Sequence, residues 1–364
     1  MGNERGLTYA GTGVDVDLVS RELEGLARIL APSAGFRRGV GEAVMENGYY
    51  ATALRLTADL ALGLCTDGVG SKILVAERMG KYDTVGIDCI AMNVNDLVCI
   101  GAEPIAMVDY VGIERLQPGM LAEIAKGLLE GARQANISIP GGETAQLPEV
   151  IRGQKPGHGL DLVGTAVGLV PMARLNSGAD VAAGDILIGL ASTGVHSNGF
   201  SLARRALFGQ GRLDVGTHVA ELGRTVGEAL LEPTRIYVRE AMDLFTGGVT
   251  VKALCHITGD GLLNLNRVGA AVGFEIDALP PPPPIFDLIA KSGGIDRAEM
   301  FKVFNMGIGM CVVVPPQQVD RACTIARKQG ASPHVIGRAI KGPEKVVRLA
   351  RERLQGHDTG FVRF

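Results

Sequence analysis

Residues 86–104, "GIDCIAMNVNDLVCIGAEP", are an apolar stretch interrupted by short acidic and amide side chains, without a single Lys or Arg. The isoleucines, valines and leucine recur at helical spacing, which predicts one broad buried face. Asp88 and Asn95 share a second face of that helix, with Asp96 beside them. An acidic and amide face without long charged side chains predicts a polar cleft inside the protein. The alternative for either aspartate alone is a buried, hydrogen-bonded carboxylate.

The helical pattern at 119–136 provides a comparison within the same chain. Its outward positions are Glu123, Lys126, Glu130 and Arg133, the mixed long charges of a solvated face. The helix at 86–101 has none of these, so its polar face is predicted to look at something other than bulk water.

The length of 364 residues favours two domains. Apolar runs alternate with helical patterns, which predicts an α/β (α+β) fold in which each domain has a mixed sheet packed with helices. The polar, turn-rich segment 171–185 separates two strand patterns. We therefore expect a first domain at 1–170, a second at 171–345, and a C-terminal tail at 346–364.

Composition narrows the class of protein. With 46% hydrophobic and 21% charged residues the chain is globular, and a net charge of -3 argues against nucleic-acid or anionic membrane partners. No apolar run reaches the ~18 residues of a membrane span, and the first residues lack a signal-peptide pattern. The six cysteines show no CxxC spacing and predict reduced core thiols. We expect a cytoplasmic protein.

A second acidic element is "LCTDGVGSK" (64–72), where a strand pattern ends in Asp67 and is followed by Gly68, Gly70 and Lys72. Glycine backbone N–H groups, a helix start and a lysine favour a bound anion. Asp67 would repel a phosphate unless Mg²⁺ lay between them, and Mg²⁺ binds one or two carboxylates together with phosphate oxygens. This is not a Walker A loop, and a plain turn is the alternative for this loop alone.

A third element is "IPGGETAQLPE" (139–149), with Gly141, Gly142 and Glu143 after a short strand pattern. Taken alone, it is also compatible with a tight turn. Together the three elements supply enough acidic groups to hold Mg²⁺ on a nucleotide, and these are the predicted metal ligands: Asp67, Asp88, Asp96 and Glu143.

The second half contains three polar, glycine-containing loops: "ASTGVHSNGFSLARRAL" (191–207), "CHITGDGLLN" (255–264) and "FNMGIGM" (304–310). The first has strand, loop, helix order, which suits an anionic phosphate. Their neutral donors suit a sugar phosphate or an amide substrate, although each loop alone is compatible with a turn. His196 and His256 are candidates for proton transfer, with a structural role as the alternative.

Several of these stretches resemble, in order and spacing, the phosphoribosylformylglycinamidine cyclo-ligases, also called aminoimidazole ribonucleotide synthetases. The resemblance covers roughly residues 8–340, and its motifs are "TDGVGSK", "GIDCIAMNVNDLVCIGAEP", "GGETAQLP", "HSNGFSL", "LLEPTRIY", "HITGDGL" and "FNMGIGM". The long helical motif and "FNMGIGM" in succession are specific, whereas no single glycine loop would be.

The resemblance implies a two-domain subunit, a homodimer built through the N-terminal halves, and the fifth step of purine synthesis. In that reaction ATP phosphorylates the formyl amide oxygen of formylglycinamidine ribonucleotide, and a nitrogen then closes the imidazole ring with loss of phosphate. The implied cofactors are ATP and Mg²⁺. Transient contact with neighbouring purine-pathway enzymes is a further implication.

The resemblance also implies roles for individual residues. The group expected to bind ATP, its phosphates or Mg²⁺ is Asp67, Gly68, Gly70, Lys72, Asp88, Asn95, Asp96, Gly141, Gly142 and Glu143. The group expected on the substrate side is Ser197, Asn198, Gly199, Thr258, Gly259, Asn305 and Gly307. The expected catalytic residues are Asp96, His196 and His256.

This chain departs from the family pattern at several positions. Ser71 stands where Thr is usual, and Asp260 replaces a glycine of the usual TGGG, adding negative charge near the expected substrate. The glycine-rich lid of the family is represented only by "GFRRGVGEAV" (35–44), where Arg37 and Arg38 are alternative phosphate ligands.

Rival readings keep the scaffold and change the phosphoryl acceptor. A selenophosphate synthetase should carry a reactive Cys in its N-terminal loop, and residues 1–60 contain none. A thiamine-monophosphate kinase should lack "FNMGIGM", and the larger amidotransferase of the preceding purine step should be much longer. A catalytically inactive, nucleotide-binding regulatory protein is the rival of a different class.

Overall fold

The computed structural model describes residues 6–13, 16–45, 48–342, 345–357 and 360–364. Two β-sheets, each covered by helices, account for most of these residues. The α-helices are α1 (Val16–Leu30), α2 (Ile73–Met79), α3 (Val85–Cys99), α4 (Met120–Ala135), α5 (Phe200–Arg204), α6 (Val226–Leu230), α7 (Val238–Thr246), α8 (Pro284–Gly293), α9 (Arg297–Val303) and α10 (Val319–Lys328).

The first sheet is mixed and has the strand order β1-β2-β5-β3-β4. All its pairs are antiparallel except β3 with β4. Helices α3 and α4 pack together, and α3 also lies against β2 and β5. The strands are β1 (Thr52–Arg55), β2 (Leu60–Gly68), β3 (Glu103–Ile113), β4 (Gly142–Gln146) and β5 (Leu160–Pro171).

The second sheet has eight strands in the order β15-β14-β13-β10-β12-β6-β11-β9, and a short β7–β8 hairpin lies outside it. The β10–β13 pair is parallel and the other pairs are antiparallel. The strands are β6 (Ile186–Ala191), β7 (His218–Val219), β8 (Arg224–Thr225), β9 (Ala253–His256), β10 (Val272–Ile276), β11 (Ile308–Val314), β12 (Pro333–Lys341), β13 (Val347–Leu349), β14 (Leu354–His357) and β15 (Gly360–Arg363).

The segment 346–364, which the sequence sets apart as a tail, supplies β13, β14 and β15 of this second sheet. The strands of this segment are hard to recognise in the sequence because charged residues occupy their outward-facing positions. In β13, Val347 and Leu349 are buried while Arg348 between them is exposed. That alternation is the mark of a half-buried strand.

Helix α3 is the most enclosed helix of the first domain. Every residue from Val85 to Cys99 is buried except Asp96. Its packing on α4 is very close, because a Cβ at Gly86 would lie 2.2 Å from the backbone nitrogen of Leu128. The helix also contacts β9 and α7 of the second domain, so it lies between the two sheets. The polar face of α3 therefore meets protein from both domains.

Two expectations about the environment can be compared with this fold. All six cysteines are free and buried, as expected for reduced core thiols. In the part of the chain that the structure describes, no helix combines the length and the apolarity needed to cross a bilayer.

Candidate active site

Three polar side chains meet where α3 passes between the sheets. Asp67 ends β2, Asp96 lies on α3, and His256 ends β9. His256 Nδ1 lies 2.8 Å from Asp96 Oδ1. Burial raises the pKa of Asp67 to about 6, and the negative charge of Asp96 is the second cause. The two carboxylates are thus close enough to repel each other, with an imidazole bonded to one of them.

This pair fits Mg²⁺ bound to a nucleotide better than a preformed metal cage. Among the described residues, no three Asp, Glu, His or Cys side chains are grouped as a metal centre. Magnesium needs only one or two carboxylates, because phosphate oxygens and waters complete its octahedron. A divalent cation would also relieve the repulsion between Asp67 and Asp96. Asp96 Oδ2 is open to a ligand, because its one hydrogen-bond partner among the described residues is the Cys65 thiol at 3.9 Å.

Asn95, predicted to contact ATP, ties α3 to the second domain. Its amide oxygen accepts a hydrogen bond from the Tyr237 backbone N–H at 2.9 Å, and its Nδ2 donates to the Arg235 carbonyl at 2.9 Å. Nδ2 also lies 3.4 Å from His256 Nε2. The side chain is fully buried. Asn95 therefore positions His256, and the fold brings it to the site in a supporting place.

Lys72 and Asp88 were predicted to contact phosphate and metal, and the structure pairs them with each other. Lys72 Nζ donates to Asp88 Oδ1 at 2.8 Å, and neither side chain is exposed. The same oxygen accepts the Thr234 backbone N–H and hydroxyl, both at 2.7 Å, while Nζ also donates to the Glu232 carbonyl at 2.7 Å. Burial lowers the pKa of Lys72, and Asp88 opposes this shift. In this arrangement the pair links the domains and reaches no open surface.

The fourth predicted carboxylate, Glu143, does not join the Asp67 and Asp96 group within one subunit. Asp67 pairs with Gly164, Gly164 with Asp109, and Asp109 with Gly142, so these residues form one row across the sheet. Glu143 is one position further along β4 and points to the opposite face. Three strand spacings of ~4.8 Å also separate β4 from β2.

The immediate surroundings of the glycines near Glu143 and Asp67 show what these glycines do. A Cβ at Gly142 would lie 2.5 Å from Asp109 Oδ1, so the glycine makes room for that carboxylate. Gly141 is exposed with open space around it. Gly68 N–H donates to Asp67 Oδ1 at 2.7 Å, and Gly70 has a φ of 68°. The turn after β2 therefore orients Asp67.

His196 lies in the loop between β6 and α5 and is enclosed. Its backbone has a φ of 64°, and its Nε2 accepts a hydrogen bond from the Thr193 N–H at 3.2 Å. Its Nδ1 is buried without a partner. Burial, and secondarily the charge of His256, holds the pKa of His196 well below its usual range. The imidazole is neutral at physiological pH, so it is not a ready proton donor.

The loops around Asn198 and Gly259 face each other. A Cβ at Gly259 would lie 3.4 Å from Asn198 Oδ1. Thr258 is held by its N–H, which donates to Asn264 Oδ1 at 2.7 Å. The extra charge of Asp260 is matched by Arg267, whose Nη2 lies 3.4 Å away. The structure thus places Asn198 beside the turn that contains Thr258 and Gly259.

Ser197 and Asn305 are engaged within the protein. Ser197 Oγ lies 2.9 Å from Thr234 Oγ1, which extends the hydrogen-bond network of Asp88. Asn305 Oδ1 accepts from Ser192 Oγ at 2.9 Å and from Gly307 N–H at 2.8 Å. Its Nδ2 donates to two carbonyls of the 194–195 turn. Asn305 therefore shapes the loop.

Gly199 and Gly307 adopt left-handed backbone conformations, with φ values of 78° and 98°. A Cβ at Gly199 would lie 2.4 Å from the Phe304 ring. These two glycines are required for the turn geometry and for the close approach of neighbouring groups.

Sequence reasoning missed the partners that the second domain supplies to α3. Thr234, Arg235 and Tyr237 all bond to its polar face. They lie in the motif "LLEPTRIY" (230–237), which contributes to the family resemblance. The place of this segment among the family motifs indicates a functional role, but no local sequence pattern predicts its contact with α3.

The arginines of the 35–44 segment are turned toward their own loop. Arg37 Nε donates to the Val40 carbonyl at 2.6 Å, and Arg38 pairs with Glu42 at 3.3 Å. This geometry gives no support to their role as phosphate ligands.

Comparison with known proteins gives two adjacent family matches. Residues 48–170 match the N-terminal domain of AIR synthase related protein, and residues 182–350 match its C-terminal domain.

Curated relatives cover nearly the whole chain. The phosphoribosylformylglycinamidine cyclo-ligase of Methanothermobacter thermautotrophicus is 46% identical over 331 residues, which are 91% of this chain and 94% of that protein. The protein of the same name from Thermococcus kodakarensis is 45% identical over 338 residues, covering 93% of this chain and 96% of that protein.

Solved structures share the fold at lower identity. Thiamine-monophosphate kinase from Stenotrophomonas maltophilia superposes with a TM-score of 0.60 at 20% identity, covering 89% of this chain and 95% of that one. T. maritima PurL complexed with ATP gives 0.55 at 15% identity, covering 82% of this chain and 44% of that one. The solved structures show a shared fold, whereas the sequence matches show the family. Because the chain matches both AIR synthase related domains and has relatives of 46% and 45% identity along most of its length, it belongs to the phosphoribosylformylglycinamidine cyclo-ligase family.

Proposed function

We propose that this chain catalyses the ATP-dependent cyclisation of formylglycinamidine ribonucleotide to 5-aminoimidazole ribonucleotide, with release of ADP and phosphate. The single observation that carries the proposal is the Asp67, Asp96 and His256 group between the two domains. Its two carboxylates are suited to bind Mg-ATP. The loops of the second domain that would hold the substrate lie next to them. The curated relatives are named for this reaction.

The chemistry requires activation of a poor leaving group. The formyl amide oxygen attacks the γ-phosphorus of ATP, the bond to the β–γ bridging oxygen breaks, and ADP leaves. An amidine nitrogen then attacks the activated carbon and loses a proton, and the original C–O bond of the formyl group breaks as inorganic phosphate departs with that oxygen. Bound Mg²⁺ would supply charge stabilisation during phosphoryl transfer, with Asp67 and Asp96 as its proposed protein ligands.

Within this scheme, His256 is a positioning residue for Asp96. Its Nδ1 bonds to Asp96 Oδ1 at 2.8 Å, which leaves Oδ2 directed elsewhere. Asn95 holds the far side of the same imidazole. Asn198 and Thr258 are the proposed substrate contacts, because they lie on facing loops and Asn198 Oδ1 bonds to no protein group in the described residues.

We also propose a homodimer formed through the open face of the first sheet. On β3, Ile105, Val108 and Tyr110 are 41%, 44% and 36% exposed. The neighbouring strands add half-buried Leu62 and Val167 to the same side of the sheet. A sheet face of this apolarity is normally covered. Sedimentation of the Val108→Asp variant tests it: the variant should be a monomer, whereas wild-type protein sediments as a dimer.

The cytoplasm is the compartment that we propose, because all six cysteines are free and buried. Transient contact with neighbouring purine-pathway enzymes remains part of the proposal.

The deciding experiment measures ADP release from Mg-ATP with and without formylglycinamidine ribonucleotide, together with formation of the imidazole product. We expect ADP and aminoimidazole ribonucleotide in a ratio of one to one. ATP binding without any dependence on this substrate would contradict the proposal. Selenide and thiamine monophosphate then serve as the alternative acceptors in the same assay.

A further inference from the structure

A basic cavity of about 400 Å³ lies where α2 of the first domain approaches α5 of the second. Three arginines line it, Arg78, Arg204 and Arg205, and among the described residues of the lining none is acidic. Like charges brought together on the surface of a protein repel each other unless an anion lies between them. The composition of this cavity therefore points to a negatively charged ligand.

Arg204 is the central residue of the cavity. Its Nε and Nη1 are buried and have no hydrogen-bond partner in the part of the chain that the structure describes. Burial lowers the pKa of Arg204, and the neighbouring charge of Arg78 lowers it further. A buried cationic donor without an acceptor is costly, and an oxygen of a bound anion would satisfy one of these two nitrogen atoms.

A neighbouring acidic residue, Glu77, does not fill this role. Glu77 interacts electrostatically with Arg204, but the structure gives no ion pair between them among the described residues. One Glu77 oxygen accepts the Lys155 backbone N–H, and the other, Oε2, is buried without a hydrogen-bond partner in the described residues. One carboxylate also leaves two of the three arginines without a counter-charge.

The other two arginines are held in place by protein groups. The Arg78 guanidinium stacks on the Phe208 ring at 4.5 Å, and Arg205 Nη1 donates to the Gly11 carbonyl at 2.7 Å. Stacking uses the face of a guanidinium and leaves its edge free to donate hydrogen bonds. The cavity is therefore partly preorganised for a tetrahedral oxyanion.

A hydroxyl links this cavity to the proposed ATP site. Ser201 lines the cavity, and its Oγ lies 3.3 Å from Ser71 Oγ. Ser71 belongs to the loop that follows Asp67, and four residues of chain span at most ~14 Å. A ribonucleotide could therefore place its phosphate in the cavity and its reacting end toward Asp67.

From these observations we propose that Arg78, Arg204, Arg205 and Ser201 form a phosphate-binding site. The phosphate comes from one of the two phosphorylated substrates, and we expect the 5′-phosphate of the ribonucleotide, since Asp67 and Asp96 are assigned to the ATP phosphates. This choice of ligand rests on the proposed function, whereas the phosphate site itself rests on the cavity.

The test compares Arg204→Met with Arg204→Lys, Arg78→Met and a matched control, Arg133→Met. Arg133 is exposed on α4, is bonded to Glu130 and does not line the cavity. For each protein, KM is measured for ATP, for formylglycinamidine ribonucleotide and for its dephosphorylated riboside, and the melting temperature is recorded. The control should match the wild type in every KM.

Arg204→Met should raise KM for the ribonucleotide by ~30-fold, because charge-assisted bonds are lost, and should leave KM for ATP and for the riboside within ~3-fold. Arg204→Lys should recover part of the loss. If KM for ATP rises instead, the site takes a phosphate of ATP. If the ribonucleotide and the riboside weaken equally, or neither changes, the phosphate site is overturned. Arg78→Met carries the same expectation at ~10-fold should Arg204→Met fold poorly.

A wild-type protein that does not cyclise the ribonucleotide would contradict the proposed function without deciding this site. Calorimetric titration with ribose 5-phosphate and with inorganic phosphate then decides it. Binding that is lost in Arg204→Met and retained in Arg133→Met supports the phosphate site. No binding of either probe to the wild type overturns it.

Discussion

The two ends of helix α3 carry one aspartate each and use them differently. Asp88 is fully buried and accepts bonds from Lys72 and from both donors of Thr234. Asp96 is the one residue of the helix that is not buried, and it shares its surroundings with Asp67 and His256. The difference comes from the second domain, which supplies several donors at one end and a single imidazole at the other. Asp96 is therefore the aspartate of this helix that remains open to a ligand.

Asp96→Asn should give the largest change in activity. An amide cannot supply the charge that balances a divalent cation, so kcat/KM for Mg-ATP should fall by ~10³-fold or more. Its melting temperature should stay close to that of the wild type, because the site is partly open. Steady-state kinetics and a thermal melt on the same sample test both claims. Wild-type turnover in the variant would remove Asp96 from the proposed metal site.

Asp88→Ala should act on stability instead. It leaves the Lys72 ammonium buried without its partner, which should reduce the free energy of unfolding by about 3–5 kcal/mol. Adding Lys72→Met removes the orphaned charge and should restore most of the loss. Urea unfolding of both single variants and the double variant measures the coupling. Additive losses in the double variant would show that the two residues do not act as a pair.

The raised pKa of Asp67 gives a pH dependence with a definite sign. Its folded pKa is about 6, above the usual 3.8, so the folded state binds more protons than the unfolded state between these values. Stability contributed by this carboxyl is present at low pH and is lost as pH rises through about 6. Asp67→Asn should therefore raise the free energy of unfolding by ~2 kcal/mol at pH 7.5 and change it little at pH 4.

Urea denaturation of wild type and Asp67→Asn at the two pH values checks this expectation. An equal effect at pH 4 and pH 7.5 would mean that Asp67 does not titrate in this range. Turnover by the variant should still be low, since the charge that is unfavourable in the empty fold is the charge that binds the cation.

Glu143→Gln should have the smallest effect of the four. In its own subunit this residue lies on the opposite face of the sheet from Asp67 and three strands away. Its Oε1 accepts a hydrogen bond from the backbone N–H of the next residue, Thr144, at 2.8 Å. We expect KM for Mg-ATP to change by less than ~5-fold, as for a charge that is exposed to solvent. A loss as large as that of Asp96→Asn would require the open face of the sheet to form part of the ATP site in the dimer.

Much of the fold could be predicted because periodicity is local. The helix expected at 86–101 is observed at Val85–Cys99, and the helical pattern at 119–136 is observed as the helix Met120–Ala135. The family resemblance was confirmed by the matching domains. The acidic face of α3 was visible as a departure from the charge pattern of an ordinary surface helix.

The different roles of the acidic residues could not be predicted from local sequence patterns. Lys72 and Asp88 are 16 residues apart, and only the packing of α2 on α3 makes them partners. Glu143 and Gly142 point to opposite faces of the sheet because neighbouring residues of a strand alternate. Which face each one takes depends on the pairing of Gly142 with Asp109, and that pairing joins distant parts of the chain. Both depend on contacts between distant segments, which no local pattern contains.

The glycine seam between α3 and α4 limits how this helix can vary among natural sequences. Side chains at Gly86, Gly127 or Gly131 would collide with the facing helix, so α3 cannot shift or turn. Asp88 and Asp96 are thereby fixed ~12 Å apart along its axis. Inserting one residue between them would rotate Asp96 by ~100° into the core. The apolar residues of this helix can drift in identity, whereas its length between the two aspartates cannot.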